Sequence, residues 1–335
     1  MVHIALPDNS TERAGRQTAK RRLSFYLAME EYVARELKQL DECFFMWQVA
    51  PTVIFGRNQL IQNEVNVDYC KVNRIDMQRR KSGGGCVYAD MNNIMFSYIN
   101  TGCNVSLTFG HYIEMVVAML RSLGVDAIGS SRNDIMVDGR KVSGNAFYHI
   151  PGRNIVHGTM LYDTDMRNMV SAITPSDEKL VCKGVKSVRQ HISLLKDYIG
   201  EKMDINQFKD YARKYMCDSE YVLNGYDIAA IEEMQKEYHS EVYILGNNPS
   251  YNIQRKQRIE DVGEFDVRIE LKNNIVKRVN LLGDFFLVGD LDALLSKFRN
   301  VAYDKMLLEK SLEDTDVSQT IMGLDVPKLV SLLAD

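Results

Sequence analysis

Asp138-Gly139 separates two apolar runs, Ile135 to Val137 and Lys141 to His149. A pair of that type between strand-like segments is the signature of a two-residue antiparallel turn. A third strand-like run, Asn154 to Tyr162, follows at once, so this stretch predicts adjacent antiparallel strands. Upstream, Lys20 to Leu40 carries Leu23, Leu27, Val33 and Leu37 at helical spacing, with Glu30-Glu31 among them. Phe44 to Val49 and Thr52 to Phe55 flank Ala50-Pro51 and read as a hairpin. Ile75 to Arg80, Cys86 to Tyr88 and Ile94 to Ile99 read as strands, and Gly110 to Leu123 as a helix stopped by Gly124. Helix, several strands, helix, more strands predicts an α+β fold with a mixed sheet and helices packed against it. The regular alternation of a doubly wound nucleotide fold is missing.

The texture changes after Asp204. Asp204 to Cys217 and Asp227 to His239 read as helices, and Glu241 to Leu245 as a strand. Gly246-Asn247-Asn248-Pro249 is a dense loop signal, which divides the chain into 1–246 and a small α+β unit, 247–335. In that unit Glu264 to Leu271 and Ile275 to Leu282 are strands joined by Asn273-Asn274. Leu291 to Asn300, Tyr303 to Glu309 and Val326 to Leu333 read as helices.

Composition excludes several function classes. A formal net charge of −4 argues against bulk electrostatic binding of nucleic acid. No apolar run approaches a membrane span, and Asp8 to Lys20 lacks the apolar core of a signal peptide. The six cysteines show no C-x-x-C spacing, so a zinc site or disulfide framework is not expected, and a reducing cytoplasm is.

Arg79-Arg80-Lys81-Ser82-Gly83-Gly84-Gly85-Cys86-Val87-Tyr88 is the first segment that suggests chemistry. Three glycines leave a backbone free to approach a ligand and to turn N–H groups toward an anion. Arg80 could pair with phosphate oxygens in a forked geometry. This is neither G-x-x-x-x-G-K-[ST] nor G-x-G-x-x-G. The second segment, Asn133 to Gly144, brings Lys141 after the turn, beside Ser143-Gly144. An ammonium there could hold a carboxylate next to an α-phosphate, and charge stabilisation of that kind is worth about 10²- to 10³-fold in rate. Asp134 reads either as a turn aspartate or as a Mg²⁺ ligand acting with phosphate oxygens. His157 reads as a wall residue and Cys86 as a small buried hydrophobe. Lys183, Lys186 and Arg189 are either a solvated face or a contact for an acidic partner or the nucleotide.

Taken together, these segments resemble lipoate–protein ligases. The resemblance rests on Arg79 to Gly85, on Asn133-Asp134-Ile135 with Asp138 to Gly144, and on His157-Gly158-Thr159-Met160-Leu161. It extends through Leu180 to Arg189 and reaches Gly246-Asn247-Asn248-Pro249 and Gly283-Asp284-Phe285-Phe286. It implies a catalytic domain of the biotin/lipoate ligase type with a small accessory domain. It also implies activation of lipoate by ATP and Mg²⁺ to lipoyl-adenylate, then transfer to a lysine of a lipoyl carrier. Such carriers are the acyltransferase subunits of 2-oxoacid dehydrogenases and the glycine-cleavage H protein; a monomer is expected. On matching positions Arg80, Gly85, Cys86, Val87, Tyr88 and Lys141 would contact ATP. Lys141 would also face lipoate; Ser82, Gly83, Gly84 and His157 are the further lipoate candidates, and Asp134, from its own chemistry, the candidate Mg²⁺ ligand. Lys81, Cys86 and Asn145 depart from the residues common in the family. The rival within the same fold is a cysteine-dependent acyl transferase, whose cysteine Cys182 misses by one position. A non-catalytic binding protein is the rival from another class.

Overall fold

The computed structural model describes residues 1–7, 21–102, 104–130, 133–173, 191–200, 203–246 and 250–334. Cys182, the basic stretch at Lys183, Lys186 and Arg189, the extension Asp8 to Lys20 and the loop residues Asn247 to Pro249 lie outside them.

Eight strands form the main sheet: β1 (Val2–Ala5), β2 (Glu42–Trp47), β6 (Ile94–Thr101), β7 (Ala127–Gly129), β8 (Asp134–Val137), β9 (Arg140–Ile150), β10 (Arg153–Met160) and β11 (Ser219–Val222). Their order is β11-β1-β2-β6-β10-β9-β8-β7, parallel at the β11-β1-β2 end and antiparallel elsewhere. The sheet is therefore mixed, as the sequence predicts.

Both faces are covered. Along β2, Cys43, Phe45 and Trp47 pack against α1 (Leu23–Glu36) and the helix Gly225–His239. Phe44 points the other way, toward the helix Val105–Ser122. The period-2 alternation thus feeds two apolar layers, which is why these strands read as nearly continuous hydrophobic runs. Asn104 caps the helix Val105–Ser122 by accepting from Leu107 N at 3.0 Å, so it begins five residues before the apolar spacing suggests.

β3 (Thr52–Phe55), β4 (Asp76–Arg79) and β5 (Val87–Ala89) form a second sheet in the order β4-β3-β5. The hairpin expected across Ala50-Pro51 does not form. β2 already has β1 and β6 on its two edges, so β3 leaves for the other sheet and pairs in parallel with β4. Glu241–Leu245 is helical rather than a strand. Ser240 accepts from Tyr243 N at 3.1 Å, and the Arg79 guanidinium takes the carbonyls of Tyr243 and Ile244, which supplies partners for the helix end.

The C-terminal segment builds β12 (Ile253–Ile259), β13 (Gly263–Lys272) and β14 (Ile275–Gly283) into an antiparallel sheet. β13 and β14 turn at Asn273 and Asn274, both at positive φ (53° and 62°), as that dipeptide predicts. Helices Leu291–Ser296, Lys305–Lys310 and Val326–Ala334 cover this sheet around a core from Val262 to Leu333. Phe286 leaves that core and stacks on Phe147 of β9, with centroids 5.6 Å apart, inside the main sheet's apolar layer.

Candidate active site

The Asp138-Gly139 turn forms as the dipeptide requires, with φ of 50° and 70°. The strands it joins do not pair regularly. Met136 stands opposite Lys141 and Ile135 opposite Ser143, so Val142 is an extra residue in β9. Lys141 and Gly144 are three positions apart and would face opposite ways in an unbroken strand. The bulge cancels that parity and turns the Lys141 side chain to the face of Gly144 and Asp134. Its Nζ lies 2.7 Å from Asp134 Oδ1. A Cβ on Gly144 would meet Cε and Nζ of Lys141 at 2.6 Å. The glycine therefore makes room for this chain's own ammonium, rather than simply for a ligand to lie along the strand.

Lys141 and the glycine loop line one cavity. Leu27, Trp47, Ile54, Val87, Met95 and Ala146 give it apolar walls. Asn133, Lys141, Asn145 and Thr159 supply polar groups, and Phe286 adds a ring from the C-terminal segment. Of the residues named from the sequence, Arg80, Gly84, Gly85, Cys86, Val87, Lys141 and His157 line this cavity. Ser82, Gly83 and Tyr88 lie behind the wall: Ser82 and Tyr88 are buried, and Tyr88 packs in the core between β3 and the helix Met166–Ala172. Asp134 reaches the site through Lys141.

Arg80 is not the free fork that the sequence suggests. Its guanidinium is buried and donates to Ser82 Oγ (2.9 Å), Ile54 O (3.1 Å), Gly83 O and Gly85 O (2.7 Å each). Four of its five donors are therefore taken, three by the Ser82–Gly85 loop and one by β3, and burial pulls its pKa down to about 10. The loop is also less bare than three glycines imply. Gly84 N donates to the carbonyl of Phe285 at 3.1 Å, and a Cβ on Gly83 would collide with that same oxygen. Only Gly85 has open space around it. Burial pushes the Cys86 thiol well up, which makes it a poor nucleophile and fits the reading of a small hydrophobe.

Two of the three departures from the family pattern, Lys81 and Asn145, have local partners. Lys81 pairs with Glu31 at 2.7 Å and Glu237 at 3.1 Å, tying α1 to the helix Gly225–His239. Burial would raise the Glu31 carboxyl, but the hydrogen bonds and charges of Lys81 and Arg35 outweigh it and hold the pKa below the usual range. Asn145 fixes the segment before Asp134: its Nδ2 donates to Asn133 O at 2.8 Å, and Asn133 Nδ2 donates to Asn145 O at 2.6 Å. Cys86 contributes wall.

Glu30, Ser97 and Trp47 belong to the site's surroundings and carry no role in the sequence reading. The signal was Glu30 itself, a carboxylate on the apolar stripe of α1 three residues after Leu27 and three before Val33. For Mg²⁺, no cluster of three or more metal-binding side chains occurs among the described residues. Asp134 Oδ1 is out of contact with solvent and accepts no hydrogen bond, its partner being the Lys141 ammonium. One such carboxylate suits a cation that takes its remaining ligands from phosphate and water. No helix among the described residues is long and apolar enough to cross a membrane.

Comparison with known proteins accords with this geometry. Residues 23–217 match the model of the lipoyl protein ligase A/B catalytic domain. The chain belongs to that family. Residues 248–333 match the bacterial lipoate protein ligase C-terminus. The chain is 32% identical over 300 residues to lipoate-protein ligase LplJ of Bacillus subtilis, covering 87% of this chain and 90% of that one. In fold it is similar to LipL1 of P. falciparum in complex with lipoate, with a TM-score of 0.76, 18% identity, and 99% and 97% of the two chains covered. It is also similar to lipoate-protein ligase A bound with ATP, with a TM-score of 0.62, 23% identity, and 73% and 98% covered. The protein is thus an enzyme of the lipoate–protein ligase family, with that family's mixed-sheet fold.

Proposed function

We propose that the protein joins lipoate to a lysine of lipoyl carrier domains in two steps driven by ATP. The observation that carries this reading is the shared cavity: Lys141 and the glycine loop line one pocket, together with the apolar side chains of Leu27, Trp47, Ile54, Val87, Met95 and Ala146. The apolar walls accept the carbon chain of the acid, and Lys141 draws its carboxylate toward the loop. The nucleotide lies along Gly84 to Val87, with Arg80 keeping the loop open. A carboxylate oxygen attacks the α-phosphorus, the bond to the β-phosphate oxygen breaks, and pyrophosphate leaves. Lys141 offsets the charge on the pentacoordinate phosphorus, a preorganised contribution of about 10²- to 10³-fold. Mg²⁺ held by Asp134 would neutralise phosphate charge. The carrier lysine, as its free amine, then attacks the acyl carbon of lipoyl-AMP and releases AMP. We read 1–246 as the catalytic unit and 247–335 as the accessory one, which the limits of the two family matches support.

The test is incubation with lipoate, ATP and apo-carriers (an acyltransferase lipoyl domain and a glycine-cleavage H protein), read by intact mass. A lipoyl gain on one carrier lysine that needs ATP and fails in excess chelator is expected. Transfer without ATP would establish the cysteine-dependent reading instead.

A further inference from the structure

Glu30 is completely buried and does not line the cavity. Its two oxygens are taken by residues that stand opposite each other on β6 and β10: Ser97 Oγ at 2.5 Å and His157 Nδ1 at 2.9 Å. From His157 the chain continues, Nε2 to Ser82 Oγ at 2.7 Å and Ser82 Oγ to Arg80 Nε at 2.9 Å. Arg80 then grips the carbonyls of Gly83 and Gly85. At the far end Trp47 Nε1 donates to Ser97 Oγ at 2.8 Å.

With Glu30 ionised and the imidazole neutral, one placement of hydrogens satisfies every link. A guanidinium only donates, so Ser82 accepts from Arg80 and spends its own hydrogen on His157 Nε2. The imidazole then carries its proton on Nδ1 and gives it to Glu30. Ser97 accepts from Trp47 and gives its hydrogen to the other Glu30 oxygen. The chain runs in one direction from a buried cation to a buried anion, and the anion sets its sense.

The geometry points to Glu30 as a positioning residue for the nucleotide, acting through His157, Ser82 and Arg80 on the orientation of the Gly83–Gly85 loop. This rests on the reading of that loop as the ATP wall. Because Glu30 is outside the cavity, any effect it has on ATP must travel along the chain. Glu30→Gln keeps the side chain's size but also offers a donor, which lets the imidazole reverse its tautomer and frees the Ser82 hydroxyl.

Calorimetric ATP binding and the ATP KM of lipoate-dependent pyrophosphate exchange test this. Glu30→Gln should weaken ATP binding about tenfold with kcat less affected, and Ser82→Ala should do the same. The double variant should bind ATP no worse than Ser82→Ala alone, since a chain already cut transmits nothing. If Glu30→Gln does not fold, His157→Phe, which breaks the same path one link further on and must likewise add nothing to Ser82→Ala, takes its place in the cycle. Unchanged ATP affinity in the single variants, or losses that simply add, overturns the assignment and leaves Glu30 a structural residue. Absence of exchange in the wild type with intact ATP binding would instead remove the ligase reading and leave the loop argument standing.

Discussion

Gly144→Ala separates the position of the lysine from its presence. The added methyl group would stand 2.6 Å from Cε and Nζ of Lys141, whereas ordinary contact begins near 3.4 Å. The ammonium must therefore retreat by ~0.8 Å, and a misplacement of about 1 Å in a catalytic group costs on the order of 10²-fold. Stability should hardly change. Gly144 has no positive φ among the backbone angles, so alanine fits the strand and gains about 0.4–1 kcal/mol from the unfolded state. The Lys141–Asp134 pair, with side chains 31% and 26% exposed, gives up about 0–1 kcal/mol when disturbed. Lipoate-dependent ATP–pyrophosphate exchange and a urea melt on the same preparation provide the assay. A ~10²-fold loss of exchange at an unchanged melt is expected. Exchange within ~3-fold of wild type would show that the ammonium's place beside Gly144 is irrelevant to the reaction, and the argument from the bulge would fall with it.

Lys141→Ala should lower exchange by about 10²- to 10³-fold and leave the circular dichroism spectrum unaltered. Phe286→Ala removes the ring that bridges the C-terminal segment and the main sheet; a cost near the lower end of ~3–5 kcal/mol is expected in urea denaturation. Glu31, whose folded pKa is depressed, stabilises the fold above its ordinary carboxylate pKa of ~4.3 and loses that contribution as pH falls through the lower folded value. Lys81→Ala should therefore flatten the dependence of stability on pH between about 5 and 3, measured by melts across that range. Cys86, with its raised thiol pKa, should react with iodoacetamide at neutral pH far more slowly than it does in urea, as peptide mapping would report.

The hairpins at Asp138-Gly139 and Asn273-Asn274 were legible because positive φ at both turn positions is a property of the dipeptide itself. So was the pairing of Lys141 with the glycine loop in one site, since the residue types state the chemistry. Ala50-Pro51 misled because a turn dipeptide carries no information about whether the neighbouring edge is already occupied by β6. Glu241 to Leu245 misled because the partner that ends that helix, Arg79, is more than a hundred residues away. Arg80 stands beside the glycines in the sequence as in the fold, but its partners are not legible there: sequence cannot reveal that Ile54, Gly83 and Gly85 offer carbonyls to it. Glu30 was visible only as a charge on an apolar stripe, and its significance depends on two strands meeting at Ser97 and His157.

The extra residue at Val142 has a consequence for how this hairpin can change. An insertion between Ile135 and Met136 would give Val142 an opposite number and heal the ladder. It would also roll Lys141 and Met136 over to the far side, away from Asp134. A tidier sheet would thus be one whose ammonium no longer meets Asp134 and Gly144, the arrangement on which the proposed chemistry rests.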